Sequence, residues 1–285
     1  MLTFCAFQVE NIPYKHTVLK VKTADFFASW PVFSLDEAER NLAPPGGRRG
    51  TIERLKHHLD TGRLKLISKG IYAVVPVASN AERFRADTLL IAAAMRPDGI
   101  FAHHGALELL GAAHSVRNQY TLYTNRRRRT LKLNGASIRF LENPGPLQTS
   151  EDRKLGTRQI ERRGRLLRVT GPARTLVEGF RRPALVGGLE ELVQSAAGFP
   201  ILELGLLEEI LDRYKIANLW AATGWFLERY QRGFHVPDTL LDSFEKRRPR
   251  SPQYLERNSR GGILVLRWNL ILPRTILQMG ETNEP

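Results

Sequence analysis

The first hydrophobic pattern along the chain has helical spacing. Apolar side chains recur on one face of residues 15–30, and Pro31 ends the run, so a first helix is expected there. Ser34 and Glu37 then stand three residues apart, as in a capping box, where the hydroxyl and the carboxylate each accept a hydrogen bond from the other residue's amide. This pattern predicts a second helix over residues 35–42.

A turn and a third helix follow. Residues 44–47 are two prolines and two glycines, which cannot continue a helix. Apolar residues then recur at positions i, i+3 and i+7 within residues 49–60, and Gly62 is a suitable C-terminal stop. We therefore expect a third helix that docks on the first two through Ile52, Leu55 and Leu59.

Two short β-like runs complete the N-terminal part. Residues 64–67 and 71–75 are apolar and rich in branched side chains, and residues 68–70 between them are typical of a hairpin turn. Three helices followed by a hairpin predict a winged helix-turn-helix domain over residues 15–78, with the hairpin as its wing.

The next segment mixes helix and strand patterns. An apolar helix is expected over residues 85–96, and residues 101–111 are expected to form a short strand that leads into another helix. Strand patterns occupy residues 120–124 and 136–141, and the alternation within residues 158–168 indicates a hairpin.

His103 and His104 are neighbours in this segment. Adjacent residues point to different faces of an element, and no third ligand stands at helical spacing, so we do not expect a metal site. We expect these histidines to cap a helix or to form buried hydrogen bonds.

The C-terminal part has mainly helical patterns. Helices are expected from Pro172 onward and at about 203–214, 217–230 and 238–247, followed by a strand over 263–272. The sequence thus predicts an α+β protein in which an N-terminal winged helix-turn-helix is followed by a larger mixed α/β domain. The expected divisions are a variable N-terminus (1–14), the winged helix (15–78), the mixed domain (79–273) and a tail (274–285).

Composition excludes several classes of protein. Of the 285 residues, 42% are hydrophobic and 25% are charged, which is ordinary for a folded, soluble protein. No apolar run reaches the roughly 20 residues of a membrane helix, and the N-terminus lacks a signal-peptide pattern, so we expect a cytoplasmic protein that does not bind a membrane. Cys5 is the only cysteine, which excludes an internal disulfide and a cysteine-based zinc site. We expect no cofactor.

Charge is distributed unevenly. The chain carries 43 Lys and Arg against 29 Asp and Glu, a net charge of +14. Residues 79–170 contribute +9 and residues 32–78 contribute +3, whereas residues 171–285 contribute only +1. This distribution favours a polyanionic ligand for the front part, with nucleic acid as the first class to consider. The alternative explanation is a general excess of surface arginine from a GC-rich genome.

Basic residues of the expected winged helix have positions suited to DNA. Base contacts are expected from Thr51, Arg54 and His57 on the third helix, with His58 beside them. Phosphate contacts are expected at the N-terminus of that helix and along the hairpin, from Arg48, Arg49, Arg63, Lys65 and Lys69. We predict no catalytic residue and no metal ligand.

Arg126, Arg127, Arg128 and Arg129 form a second basic cluster between two expected strands. Four consecutive arginines cannot all find partners within a fold. They form either a solvated loop or a second patch that contacts DNA phosphates, RNA or an acidic protein.

Seven separated motifs span nearly the whole chain: Pro31–Glu37, Leu64–Tyr72, Phe101–Gly111, Arg174–Glu178, Gly187-Gly188, Gly224–Glu228 and Arg267–Pro273. In content and in order they resemble the AbiEi antitoxin family, transcriptional regulators of bacterial abortive-infection defence against phage.

The resemblance implies a type IV toxin–antitoxin function. The N-terminal winged helix would repress its own operon by binding inverted repeats in double-stranded DNA. The C-terminal domain would oppose a co-transcribed nucleotidyltransferase-like toxin, and no catalytic residue follows from the resemblance. Two alternatives remain: an RNA-binding or nucleic-acid-processing protein centred on Arg126–Arg129, and an orphan regulator without a toxin.

Overall fold

The computed structural model describes residues 21–77, 79–80, 82–125, 129–133, 135–149, 151–256 and 261–279. The chain divides into two compact units, of which the first ends at Phe84 and the second begins at Arg85. Both helices and strands are abundant, so the fold is of the predicted α+β class. None of the described helices is both long and apolar enough to span a membrane.

The first unit contains three helices and a small sheet. In chain order its elements are α1 (Thr23–Ser29), β1 (Val32–Ser34), α2 (Leu35–Leu42), α3 (Gly47–Asp60), β2 (Leu64–Ser68) and β3 (Ile71–Val74). The strands form an antiparallel sheet in the order β1-β3-β2. Strand β1 was not expected from the sequence, because a strand of three residues between Pro31 and the start of a helix has no periodic signal.

Local sequence explains where α2 and α3 begin. The Ser34 hydroxyl accepts from the Glu37 amide at 3.2 Å, and the Glu37 carboxylate accepts from the Ser34 amide at 2.8 Å, so the predicted capping box is present. Gly46 and Gly47 have positive φ angles of 85° and 56°, which other residues adopt at a cost. A Cβ on Gly50 would overlap the Pro45 carbonyl oxygen, so this glycine lets the turn pack on the first turn of α3.

An aromatic cluster forms the core of the first unit. Phe26 and Phe27 of α1 pack against Phe33 of β1, and Tyr72 of β3 stacks on Phe33 at 5.7 Å between ring centroids. Helix α3 contributes Leu55, which is buried as expected. Ile52 was expected in the same core, and that prediction is wrong, since its side chain is 43% exposed.

The second unit begins with a six-stranded mixed sheet and two helices. In chain order these elements are α4 (Thr88–Met95), β4 (Ile100–Ala102), α5 (His104–Leu109), β5 (Gln119–Thr124), β6 (Leu131–Leu133), β7 (Ala136–Glu142), β8 (Thr157–Arg162) and β9 (Arg165–Thr170). The strand order is β6-β7-β5-β4-β9-β8, with β5 and β7 parallel and β4 and β9 parallel. The predicted hairpin within residues 158–168 is the antiparallel pair β8 and β9.

Helices dominate the remainder of this unit. They are α6 (Pro172–Arg181), α7 (Pro183–Val186), α8 (Leu189–Ala197), α9 (Leu204–Tyr214), α10 (Ala217–Arg229), α11 (Gln231–Phe234) and α12 (Asp238–Lys246). A small sheet and a last helix follow: β10 (Gln253–Tyr254), β11 (Ile263–Val265), β12 (Leu270–Leu272) and α13 (Arg274–Gln278). Helices α6, α8, α9 and α10 supply most of the large buried core.

The single strand predicted over 263–272 is wrong. The chain reverses in a short 3₁₀ turn at Leu266–Trp268, so that β11 and β12 pair antiparallel with Ile263 opposite Leu272. The Trp268 side chain is fully buried and its Nε1 donates to the Glu228 carboxylate at 2.6 Å. This reversal accompanies the contact of the indole with Gly224 of α10, a long-range contact that the alternation of the sequence does not reveal.

Candidate nucleic-acid interface

Helix α3 has a buried face and a solvent face. Thr51 and Leu55 are buried, and Arg54 and His58 at the edge are half-buried. The predicted residues Arg48, Arg49 and His57 are exposed. The helix therefore presents basic side chains to solvent, although not all of those that the sequence indicated.

Thr51 cannot contact a base edge in this arrangement. Its side chain has no exposed surface, and its hydroxyl donates to the Gly47 carbonyl oxygen at 2.9 Å. The prediction of base contact by Thr51 is wrong, because Thr51 lies on the same face as Leu55, which packs into the core.

Arg48 is exposed but bound to acidic neighbours. Its Nη1 lies 2.6 Å from Asp36 and 3.2 Å from Glu39, both on α2. The hydrogen bond to Asp36 raises the pKa of Arg48. The carboxylates of Asp36 and Glu39 offset the positive charge of the Arg48 guanidinium. Arg48 thus links α2 to α3, and a phosphate would have to compete with two carboxylates for it.

His58 and Arg63 meet at one aromatic ring. The His58 ring packs edge-on against Phe27 at 4.9 Å, and the Arg63 guanidinium lies 5.4 Å from the centre of the same ring. Partial burial lowers the pKa of His58, and the positive charge of Arg63 lowers it further, so His58 is neutral at physiological pH. His58 can accept or donate a hydrogen bond there but supplies no charge.

The hairpin carries the last two predicted residues. Register between β2 and β3 leaves Lys69 and Gly70 as a two-residue turn, in which Gly70 has a φ of 75° and Lys69 is exposed. The Gly70 carbonyl accepts from the Leu35 amide at 2.8 Å, which ties the turn to the start of α2. Lys65 is half-buried, and its Nζ donates to the Phe84 carbonyl at 3.4 Å.

One exposed cation was missed in the sequence. Along the exposed strip of α3, four charged residues follow one another at helical spacing: Arg49, Glu53, Lys56 and Asp60. Lys56 is therefore placed at least as well as Arg54 to reach a ligand, and the spacing from Leu55 could have indicated it. Glu53 and Asp60 on the same strip repel phosphate and restrict how DNA could lie there.

Most of the second basic cluster lies outside the described residues. Arg126, Arg127 and Arg128 belong to that part, whereas Arg129 is described and exposed. In the β8–β9 hairpin, Arg162 binds Asp87 at 2.8 Å. Part of the basic excess of this segment is therefore balanced within the fold.

The two adjacent histidines have different surroundings. Nε2 of His104 lies 3.1 Å from the Ser115 carbonyl oxygen and 3.6 Å from Glu191, in agreement with the expected hydrogen-bonding role. His103 occupies the N-cap position of α5 but caps nothing, and neither ring nitrogen has a partner in the described part of the chain. The expectation is therefore wrong for His103.

A buried polar cluster surrounds His103. Arg174 donates to Glu178 at 2.8 Å, Tyr214 donates to the same carboxylate oxygen at 2.8 Å, and the Tyr123 ring packs against His103. The positive charge of Arg174 holds the pKa of Glu178 below its usual value even though burial opposes this. Across the described ranges, no three His, Cys, Asp or Glu side chains are grouped to hold a metal ion.

The fold of this chain is similar to that of a protein of known structure. The structure is similar to the crystal structure of the RV2827C protein from Mycobacterium tuberculosis, with a TM-score of 0.53 and 16% sequence identity over 84% of this chain and 85% of that chain. No family model matches the sequence, and no curated protein matches it. The similarity therefore shows a shared fold across most of both chains.

Proposed function

We propose that the protein is a DNA-binding transcriptional repressor that acts as an antitoxin. The observation that carries the proposal is the element order of the first unit, helix–strand–helix–helix–strand–strand with an antiparallel sheet, which is the order of a winged helix-turn-helix. In such domains the helix before the hairpin enters the major groove. Here that helix is α3.

The exposed charges support this assignment. Arg49 and Lys56 project from α3, Arg54 lies at its edge, and Lys69 occupies the hairpin turn. Arginine side chains recognise guanine edges in the major groove, while a lysine on a wing binds backbone phosphate. We do not assign direct DNA contacts to Arg48 and Lys65, since their charged groups already bind protein atoms.

The base-contact assignment is tested with Arg54. We expect Arg54→Ala to weaken binding to the native promoter by about 1–3 kcal/mol, because a bidentate base contact is lost. A gel-shift titration measures the change, and Arg232→Ala, which removes an exposed arginine of the second unit, is the matched control. Unchanged affinity for Arg54→Ala would remove Arg54 from the interface.

Lys69 tests the role of the hairpin. We expect Lys69→Ala to weaken specific and non-specific DNA binding alike and to reduce the slope of log K against log salt concentration by about one unit, since one phosphate contact is lost. Binding measured at several salt concentrations gives the slope. A loss confined to the specific promoter would contradict a phosphate contact.

The antitoxin part of the proposal rests on the seven motifs that resemble the AbiEi family. Its test is co-expression with the adjacent reading frame, which we expect to be a nucleotidyltransferase-like toxin whose growth defect this protein relieves. An unrelieved defect, or an adjacent frame without toxicity, would favour the orphan regulator. The promoter-binding test is independent of this result.

A further inference from the structure

Ile52 is an apolar residue on the charged solvent face of α3. The structure describes the whole of this helix, and its exposed residues are Gly47, Arg48, Arg49, Ile52, Glu53, Lys56, His57 and Asp60. Ile52 is 43% exposed and is the one aliphatic side chain among them. A single exposed apolar residue is ordinary on a protein surface, so the surroundings of Ile52 decide whether it has a role.

Cations lie on both sides of Ile52. Residues three or four positions apart are neighbours on a helix surface. Arg49 precedes Ile52 by three positions and Lys56 follows it by four, and both are exposed. The apolar side chain therefore lies between two positive charges that can contact backbone phosphates on either side of a groove.

Glu53 determines which part of DNA can approach this surface. Its carboxylate is exposed and directly follows Ile52 in the helix. A carboxylate repels phosphate but can accept a hydrogen bond from the amino group of cytosine in the major groove. When α3 lies in the groove, the part of the helix around Ile52 and Glu53 therefore faces base edges, while the backbone phosphates lie beside Arg49 and Lys56.

The chemistry of the base edges then selects one base for Ile52. In the major groove, the C5 methyl group of thymine is the apolar group of the base edges, which otherwise carry mainly hydrogen-bond donors and acceptors. An aliphatic side chain placed against those polar atoms would leave them unpaired, at a cost in free energy. Contact with the methyl group instead removes apolar surface of both partners from water.

We propose that Ile52 recognises thymine in the promoter by packing against its C5 methyl group. This inference rests on the proposed binding of α3 in the major groove, and it adds the base that one residue of the helix selects. It also gives a role to the exposed position of Ile52, which the spacing of apolar residues alone would assign to the core.

A change in the DNA provides the first test. Each thymine of the native promoter is replaced in turn by deoxyuridine, which lacks the methyl group and keeps every hydrogen-bonding group of the base. We expect binding in a gel-shift titration to weaken by about fourfold at the thymine that Ile52 contacts, the factor expected for one buried methyl group. If no substituted promoter binds more weakly than the natural one, the proposal is overturned.

A variant provides the second test. We expect Ile52→Ala to weaken binding to the natural promoter by about tenfold and to bind the natural and the substituted promoter equally well. Alanine has a higher helix propensity than isoleucine, so the variant retains α3. Ile201→Ala, which truncates an exposed isoleucine of the second unit, is the matched control and should keep the affinity and the fourfold response of the original chain. A fourfold response that persists in Ile52→Ala would assign the methyl contact to another residue.

The two tests separate this inference from the proposed function. Promoter binding that responds to Arg54→Ala but to no deoxyuridine would leave the repressor proposal intact and would exclude the thymine contact. If the original chain fails to bind the promoter at all, both proposals fail.

Discussion

At the scale of the single residue, His103 has both an unfavourable backbone conformation and a buried ring without hydrogen bonds among the described residues. Its φ and ψ angles of 57° and −131° lie in a region that residues other than glycine rarely occupy, and its ring is buried without hydrogen bonds among the described residues. Burial, reinforced by the charges of Arg182, Arg181 and Arg174 and opposed by that of Glu178, lowers the pKa of His103 to about 4. The folded protein therefore holds this ring neutral.

This lowered pKa predicts a loss of stability in acid. Below about pH 6.5 the unfolded chain binds a proton at His103 that the folded chain does not bind until about pH 4, so stability falls as pH decreases through this window. One pKa unit corresponds to about 1.4 kcal/mol, which gives roughly 3 kcal/mol in all. We expect His103→Asn to lack this part of the pH dependence, measured by urea unfolding between pH 7 and pH 4.

The control for that experiment is His235, which is exposed and also has a positive φ, 53°. His235→Asn should retain the pH dependence of the original protein. If His103→Asn and the original protein lost stability in parallel as the pH fell, the inferred neutral state of His103 would be wrong.

At the scale of elements, the reversal at Leu266–Trp268 determines how the last strands pair. Arg267 binds Glu228, Asp242 and Glu245, while Trp268 inserts against α10 at Gly224. Because Gly224 has no side chain, the indole can lie directly on the helix backbone. The contact joins β11 and β12 to the large core of the second unit.

Gly224→Ala tests this contact. The added Cβ would overlap the Trp268 ring, so we expect the free energy of unfolding to fall by about 1–3 kcal/mol, as in other overpacked cores. Gly205→Ala is the control in α9, where a Cβ meets no atom within 4 Å, and it should leave stability unchanged or raise it by up to about 1 kcal/mol. Equal outcomes in chemical unfolding would show that the close approach of Trp268 is unimportant.

At the scale of the whole molecule, each unit contains a hydrophobic cluster of its own. Aromatic residues of α1, β1 and β3 form one core, and helices α6 to α10 form most of the other. The excess of positive charge lies mainly in the second unit, because the strongly basic stretch of residues 79–170 falls largely there. The proposed DNA-binding surface is therefore not the most basic part of the chain.

Because the aromatic cluster consists of residues of the first unit alone, we expect a change in that unit to have a local effect. We expect Ser34→Ala to remove the capping box of α2, lower the stability of the first unit by about 1 kcal/mol and speed hydrogen exchange in α2 and α3. Exchange in α6 and α10 should not change, and Ser29→Ala at the exposed end of α1 is the control. Faster exchange in all four helices would show that the units unfold together.

Sequence reasoning was most successful where the signal was local. Helices α2, α6, α9, α10 and α12 were predicted close to their bounds because periodicity and helix-terminating residues act over a few neighbours. It was wrong for Ile52 and Thr51, since a shift of one residue changes the face of a helix by 100°. It also missed a polar cavity beside Asn143, whose lining residues come from separate segments of the chain.

The sequence by itself determined the α+β class, the helices with clear periodicity, the hairpins and the basic charge of the front part, because each depends on composition or on neighbouring residues. Only the tertiary structure decided that Arg48 binds Asp36 and Glu39, that Trp268 reverses the last strand and that Arg174 and Glu178 form a buried pair. These features depend on which distant residues share a volume from which water is excluded. Burial then changes the energy of every polar group within that volume.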